Sequence, residues 1–194
     1  MPKLGMEPIR RAALVEATIH EIGAHGSLDV TVGAIAKRAG MSSALAHHYF
    51  GGKEQIFLAA MRHTLTQYGA DVRAGLKTAQ TPLHRAEAIV KASFANSNFR
   101  AEVIAAWLNF YVLAQTVPDA KRLLTIYQAR LRSNLVHALR PLLGARAQKV
   151  ASRTAALIDG VYLRQSLVKS HTEQTNAAQE VLAYLNFELE RGLS

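Results

Sequence analysis

Between Thr31 and Lys53 the chain reads TVGAIAKRAGMSSALAHHYFGGK, with hydroxyls at expected helix starts and polar or basic side chains close behind. Thr31 is placed to cap a short helix opening at Val32, Gly40 to supply a left-handed turn at its end, and Ser42 to cap the next helix. Helix, tight turn and helix let a second helix project into the major groove of duplex DNA, its first residues near base edges. Thr31, Ser42 and Ser43 sit where backbone N–H groups and the positive end of the helix dipole favour phosphate. Lys53 can pair with phosphate and Tyr49 can donate its hydroxyl to the DNA backbone. Ala44, His47 and His48 ride on the reading helix, Ala44 and His47 suited to a base edge or a thymine methyl. Lys3, Arg10 and Arg11 read either as an arm over the adjacent groove or as a solvated basic terminus.

A second set of residues offers different chemistry. Trp107, Phe110 and Tyr111 are spaced i, i+3, i+4, so one helix face presents three rings; Asp159 and Tyr162, at i and i+3, put a carboxylate beside another ring. Taken alone, such stripes more commonly pack a core. The eight histidines show no HExxH motif or paired spacing for a metal, and no phosphate loop or nucleophile elbow is present. Neither metal, cofactor nor catalysis is expected.

These residues need helices to position them. Turn residues fall at Pro8, Gly26 to Asp29, Gly40, Gly51, Gly52, Pro82, Pro118, Pro141 and Gly144, and the apolar spacing between them is helical. Ile9, Ala13, Ile19 and Ile22 supply the buried stripe of a first helix, in preference to the mixed face of Leu14, Ala17, Thr18 and Glu21. Short helices up to Phe50 are followed by longer ones over roughly 53–78, 82–97, 101–114, 119–139, 145–169 and 172–191. Sustained period-two alternation is absent, so the fold class is all-α, with about nine helices. A DNA-binding domain over 1–66 and a larger domain over 67–194 follow. Ala151, Ala155 and Ile158, with Val181, Tyr184, Leu185 and Leu189, are expected to line a dimer interface of four helices.

The 194 residues include 23 Lys and Arg against 14 Asp and Glu, a net charge of +9 that favours an anionic partner. The surplus is +2 over residues 1–66 and +7 over 67–194, so charge alone does not mark the front of the chain as the DNA contact. There is no cysteine, which excludes disulfides and thiolate metal sites. The longest uncharged stretch, Val103 to Pro118, is too short for a bilayer, and Glu16, His20 and Glu21 interrupt any signal-peptide core. A cytoplasmic location is expected.

The 31–53 run resembles the helix-turn-helix of the TetR family of transcriptional regulators: Thr31 opening the positioning helix, Ile35–Ala36, the Ala39–Gly40 turn, Tyr49–Phe50 and Lys53. Ala44 and His47 stand where that family commonly has Gly and Tyr. The opening MPKLGM with Ile9, Arg10 and Arg11, then Ala106, Trp107, Leu108 and Phe110, SNLV at 133–136, and AALIDG at 155–160 with Leu163 and Arg164 are similar to the choline-responsive repressors of glycine betaine synthesis within it. The resemblance implies a homodimer on a palindromic double-stranded DNA operator, released or retuned by choline or a related quaternary ammonium.

A quaternary ammonium has no hydrogen to donate and is held by aromatic faces and countercharge. Trp107, Phe110, Tyr111, Tyr127, Asp159 and Tyr162 are the residues for that task, with Asn109 available to a ligand hydroxyl. A repressor answering another ligand, a helical module that binds no DNA, and a helical enzyme stay open at this point.

Overall fold

Capping chemistry sets where the first helices begin. The Thr31 hydroxyl accepts the Ala34 N–H at 3.0 Å, the Ser42 hydroxyl accepts that of Leu45 at 3.2 Å, and Thr81 accepts that of His84 at 3.1 Å, directly before Pro82. The computed structural model describes residues 5–167 and 177–191, and no strand occurs among them. The helices are α1 (Met6–His25), α2 (Val32–Arg38), α3 (Ser43–Phe50), α4 (Lys53–Thr78), α5 (Pro82–Ser93), α6 (Ala101–Thr116), α7 (Pro118–Leu143), α8 (Ala147–Ser166) and α9 (Ala177–Glu190). Short 3₁₀ turns lie at Asn96–Phe99 and Gly144–Arg146. Lys3 and the expected helix ends at Lys169 and Thr172 lie outside the described residues.

Two expected ends are corrected. The fifth helix stops at Ser93 instead of Ser97, and α7 runs through Pro141 to Leu143 instead of stopping at Leu139. Pro141 sits in the final turn, where its missing N–H forfeits a single bond, and the added turn buries Leu143.

The chain divides into two compact units. The first takes the residues up to Thr66 together with Arg100–Leu123, and the second takes Gln67–Phe99 with the residues from Leu124 onward. In the first unit, Val15 and Ile19 of α1 pack with Ala60 of α4 and Val103 of α6, and Leu14, Ile22, Ile35 and Ala36 are buried nearby in sequence. The buried side of α1 combines both stripes: Ile19 and Ile22 of the expected one are buried, and the mixed face joins them. Ile9 is 63% exposed, whereas Leu14, Ala17, Thr18 and Glu21 are buried. The polar pair is tolerated because each is satisfied: Thr18 Oγ1 donates to the Leu14 carbonyl at 2.7 Å, and Glu21 pairs with Arg38 of α2. Farther along, α1 meets α6 so closely that a methyl built on Gly23 would lie 2.5 Å from Glu102 Cα.

The second unit is built around Val72, Ile89, Val90, Leu131, Leu135, Leu139, Ile158, Val181 and Leu185. This corrects the expected dimer face: Ala151, Ile158, Val181 and Leu185 are buried within the unit, and Ala155, Tyr184 and Leu189 pack against the same core. The large apolar side chains of α8 and α9 that do face outward are Leu163 and Phe187, about half exposed, with Leu167 directly after α8.

Candidate functional site

The turn between α2 and α3 is closed by three backbone bonds, Ala39 N–H to the Ile35 carbonyl at 3.0 Å, Gly40 N–H to the Lys37 carbonyl at 3.1 Å and Met41 N–H to the Ala36 carbonyl at 2.8 Å, with Gly40 at φ 69°. One buried residue, Ala46, seats α3. Ser42, Ser43, Ala44, His47 and His48 are exposed, as are Thr31 and Lys53, and Tyr49 is half-buried. Small residues at the helix start and a single small anchor behind them leave the reading surface open.

Several of these groups are already oriented. Thr31 and Ser42 use their oxygens as acceptors for capping, so each hydroxyl hydrogen is still available to a phosphate. Arg10 Nη1 donates to the Tyr49 hydroxyl at 3.4 Å, leaving that O–H as an outward donor, and Arg11 stacks over Tyr49 and Phe50 at 5.5 and 5.1 Å. His47 Nδ1 lies 3.2 Å from the Gly51 carbonyl; as donor there, the neutral ring presents Nε2 as an acceptor. Lys53 Nζ sits 5.6 Å over the Phe57 ring at the start of α4. The solvated-terminus reading of Arg10 and Arg11 is therefore corrected. Both belong to α1, and they brace the back of α3.

A separate constellation lies in the second unit. Tyr127 of α7 hydrogen-bonds to the Asp159 carboxylate of α8, and Tyr68 of α4 meets Tyr127 edge-on with ring centroids 5.7 Å apart. The Tyr68 and Ser93 hydroxyls share a hydrogen bond at 3.2 Å, and Ser93 also reaches the Ile89 carbonyl at 3.0 Å. Burial raises the Asp159 carboxyl to about 6, against which the Tyr127 bond works weakly. Burial also raises the Tyr68 phenol, with the Asp159 charge adding to it and the Ser93 bond opposing. One turn beyond Asp159, Tyr162 donates to the Asn98 carbonyl at 2.8 Å and its ring lies 5.1 Å from that of Phe99. Phe99 in turn stacks on Phe94 at 6.4 Å.

The structure thus gathers Asp159 and Tyr127 as the sequence suggested, and adds Tyr68, which sequence reasoning missed. Trp107, Phe110 and Tyr111 gather among themselves on α6 in the first unit, Trp107 lying 5.9 Å from Phe110 and edge-on to Tyr111 at 5.6 Å. Trp107 and Phe110 are buried there. Asn109 donates to the Gly26 and Ala105 carbonyls at 3.2 and 2.9 Å, so its amide ties α6 to the end of α1. No cluster of three His, Asp or Glu able to hold a metal occurs among the described residues, and no described helix is long and apolar enough to cross a membrane.

The model for bacterial regulatory proteins of the tetR family matches residues 14–60, and the model for the C-terminal part of BetI-type transcriptional repressors matches residues 82–189. The HTH-type transcriptional regulator BetI of Brucella melitensis is 50% identical over 190 residues, covering 97% of this chain and 96% of its own. The chain belongs to the TetR family, in its BetI branch. The BetI regulator of Rhizobium meliloti is 51% identical over 168 residues, 86% of this chain and 83% of its own.

Solved structures carry the same fold. A transcriptional regulator from Pseudomonas aeruginosa PAO1 superposes with a TM-score of 0.83 at 25% identity, covering 98% of this chain and 96% of its own. One from Saccharomonospora viridis, crystallised in complex with choline, gives 0.81 at 21% identity over 91% and 95%. For a TetR-family regulator of the BetI type, transcriptional regulation in place of catalysis is the established class of activity.

Proposed function

We propose that this BetI-type repressor controls genes of glycine betaine synthesis from choline, with choline as the inducing signal held at Asp159. The observation that carries the reading is a largely buried carboxylate whose described hydrogen-bond partner is the neutral phenol of Tyr127, with no cation among the described residues offsetting its burial. A trimethylammonium supplies the missing charge without needing a hydrogen-bond acceptor, and the faces of Tyr68 and Tyr127, with Tyr162 one turn along, suit its methyl groups. The choline bound by the Saccharomonospora viridis neighbour supports the same chemistry. Trp107, Phe110 and Tyr111 remain ligand candidates on their spacing alone.

On the DNA side, Thr31, Ser42, Ser43, Tyr49 and Lys53 position the backbone while Ala44, His47 and His48 face the bases. Residues 1–66 carry the reading elements, with residues 100–123 packed into the same unit, and the remainder of 67–194 carries sensing and dimerisation. Two copies reading half-sites about 34 to 36 Å apart, or a multiple of it, supply the specificity that one short helix lacks. The outward stripe of Ser152, Ala156, Gly160, Leu163 and Leu167, together with Ala183 and Phe187, is the surface for that pairing. Choline bound at Asp159 shifts the population of reading-head arrangements through α4, whose residues are divided between the two units. A coupling of about 1 to 3 kcal/mol changes operator affinity roughly 5- to 150-fold.

The test is fluorescence anisotropy of DNA lying upstream of betaine-synthesis genes, titrated with the protein with and without choline. Specific binding that choline weakens or retunes is expected. Binding that is identical at saturating choline removes the signal from the proposal, and binding no tighter than to unrelated DNA removes the operator.

A further inference from the structure

Away from both sites, the first turns of α8 and the end of α9 border an open surface cavity of about 480 Å³ lined by the exposed cations Lys149, Arg153 and Arg191 and the part-exposed Arg146, together with Val150 and Glu188. Four of the six are cationic. The single carboxylate is buried and engaged: Glu188 accepts from Arg146 Nη2 at 2.9 Å and from the Tyr184 hydroxyl at 3.2 Å, and pairs with Arg153 Nη1 at 3.5 Å. Arg146 also donates to the Glu188 backbone carbonyl at 3.0 Å. Burial alone would raise the Glu188 carboxyl, but Arg146, Tyr184 and Arg153 together hold it below the ordinary range, so it is ionised and the lining carries a net +3.

We propose that this cavity is an anion site for a phosphate-bearing small solute, separate from the DNA-reading and choline sites. Glu188 acts as a fixed post that aims two guanidiniums into one space. A guanidinium has five N–H donors, so Arg146 and Arg153 retain donors beyond those directed at Glu188. Lys149 pairs with no carboxylate among the described residues, and Arg191 lies over the Phe187 ring at 5.5 Å, a contact that leaves its N–H edge open. An oxyanion of two charges relieves the mutual repulsion of the four cations, and a tetrahedral phosphate matches the forked donors of two arginines. The volume exceeds what a bare phosphate fills and leaves room for the organic remainder of a phosphate monoester.

The experiment is calorimetric titration of the full chain, without DNA, with inorganic phosphate and with glucose 6-phosphate, ionic strength held constant with chloride. The comparison protein carries Lys149→Gln and Arg191→Gln, which leave the Glu188 pairs intact; its thermal unfolding checks that it is folded. Saturable binding that weakens at least about tenfold in the double variant is expected, since two charge-assisted contacts are lost. Tighter binding of the sugar phosphate identifies an ester as the natural occupant, and equal binding identifies free phosphate; either supports the site. No saturable binding, or binding of equal strength in the double variant, overturns it.

Discussion

Replacing Asp159 with Asn keeps the shape of the side chain and an acceptor for Tyr127 while removing the charge. Burial holds the carboxyl at about 6 against an ordinary 3.8, so the ionised acid opposes folding by roughly 3 kcal/mol. The sign follows from the direction of the shift. Below about pH 3 the acid is protonated in both folded and unfolded chains and costs nothing. Stability is lost as the pH rises from the unfolded value of 3.8 through the folded value of about 6, and the full loss is present at pH 8. The ligand-free Asp159→Asn protein is therefore expected to exceed the parent by roughly 1 to 3 kcal/mol at pH 8 and to match it at about pH 3.

Choline reverses the ranking, because it stabilises the parent and has no countercharge in the variant. With the carboxyl at about 6, only about one site in ten is ionised at pH 5, so choline binds the parent about tenfold more weakly there than at pH 8. Urea unfolding at the two extremes and choline calorimetry at pH 5 and 8 measure both effects. A variant no more stable than the parent at pH 8, or a choline affinity flat with pH, refutes the reasoning.

Three further outcomes are expected. Gly23→Ala gains helix propensity of about 1 kcal/mol but drives a methyl into the Glu102 backbone, so a net loss of about 1 to 2 kcal/mol in urea unfolding is expected; a gain would mean that α6 yields freely. Ser42→Ala removes the cap of α3 and costs about 1 kcal/mol, read by the same assay, with weaker operator binding alongside. Lys53→Gln lowers the slope of log affinity against log salt by about 0.9 per lost phosphate contact, or nearly 2 for a paired reader, in anisotropy titrations at several salt concentrations.

What the sequence made legible is what is local. Thr31, Gly40 and Ser42 act within three or four residues of themselves, so cap and turn chemistry can be read without the fold. On α1, Ile19 and Ile22 are legible as buried, but Thr18 and Glu21 are missed because polarity alone marks them as outward. Their partners, the Leu14 carbonyl and Arg38, become visible only once the chain has folded. Tyr68 carries no spacing signal toward Asp159, since α4 and α8 are far apart in the chain. The stripes of α8 and α9 were seen correctly as apolar, yet periodicity records that a face is covered and not what covers it; the cover is the α5 and α7 core of the same unit.

The detour of α6 into the first unit has a bearing on modular exchange. Val103 belongs to the same cluster as Val15, Ile19 and Ala60, so a fragment ending at Thr66 would lay bare the apolar side of α1. The transplantable head is accordingly discontinuous. A chimera joined within α4 inherits a foreign α6 against its own α1, and its first unit keeps its native packing only when residues 100–123 travel with it or are redesigned to match.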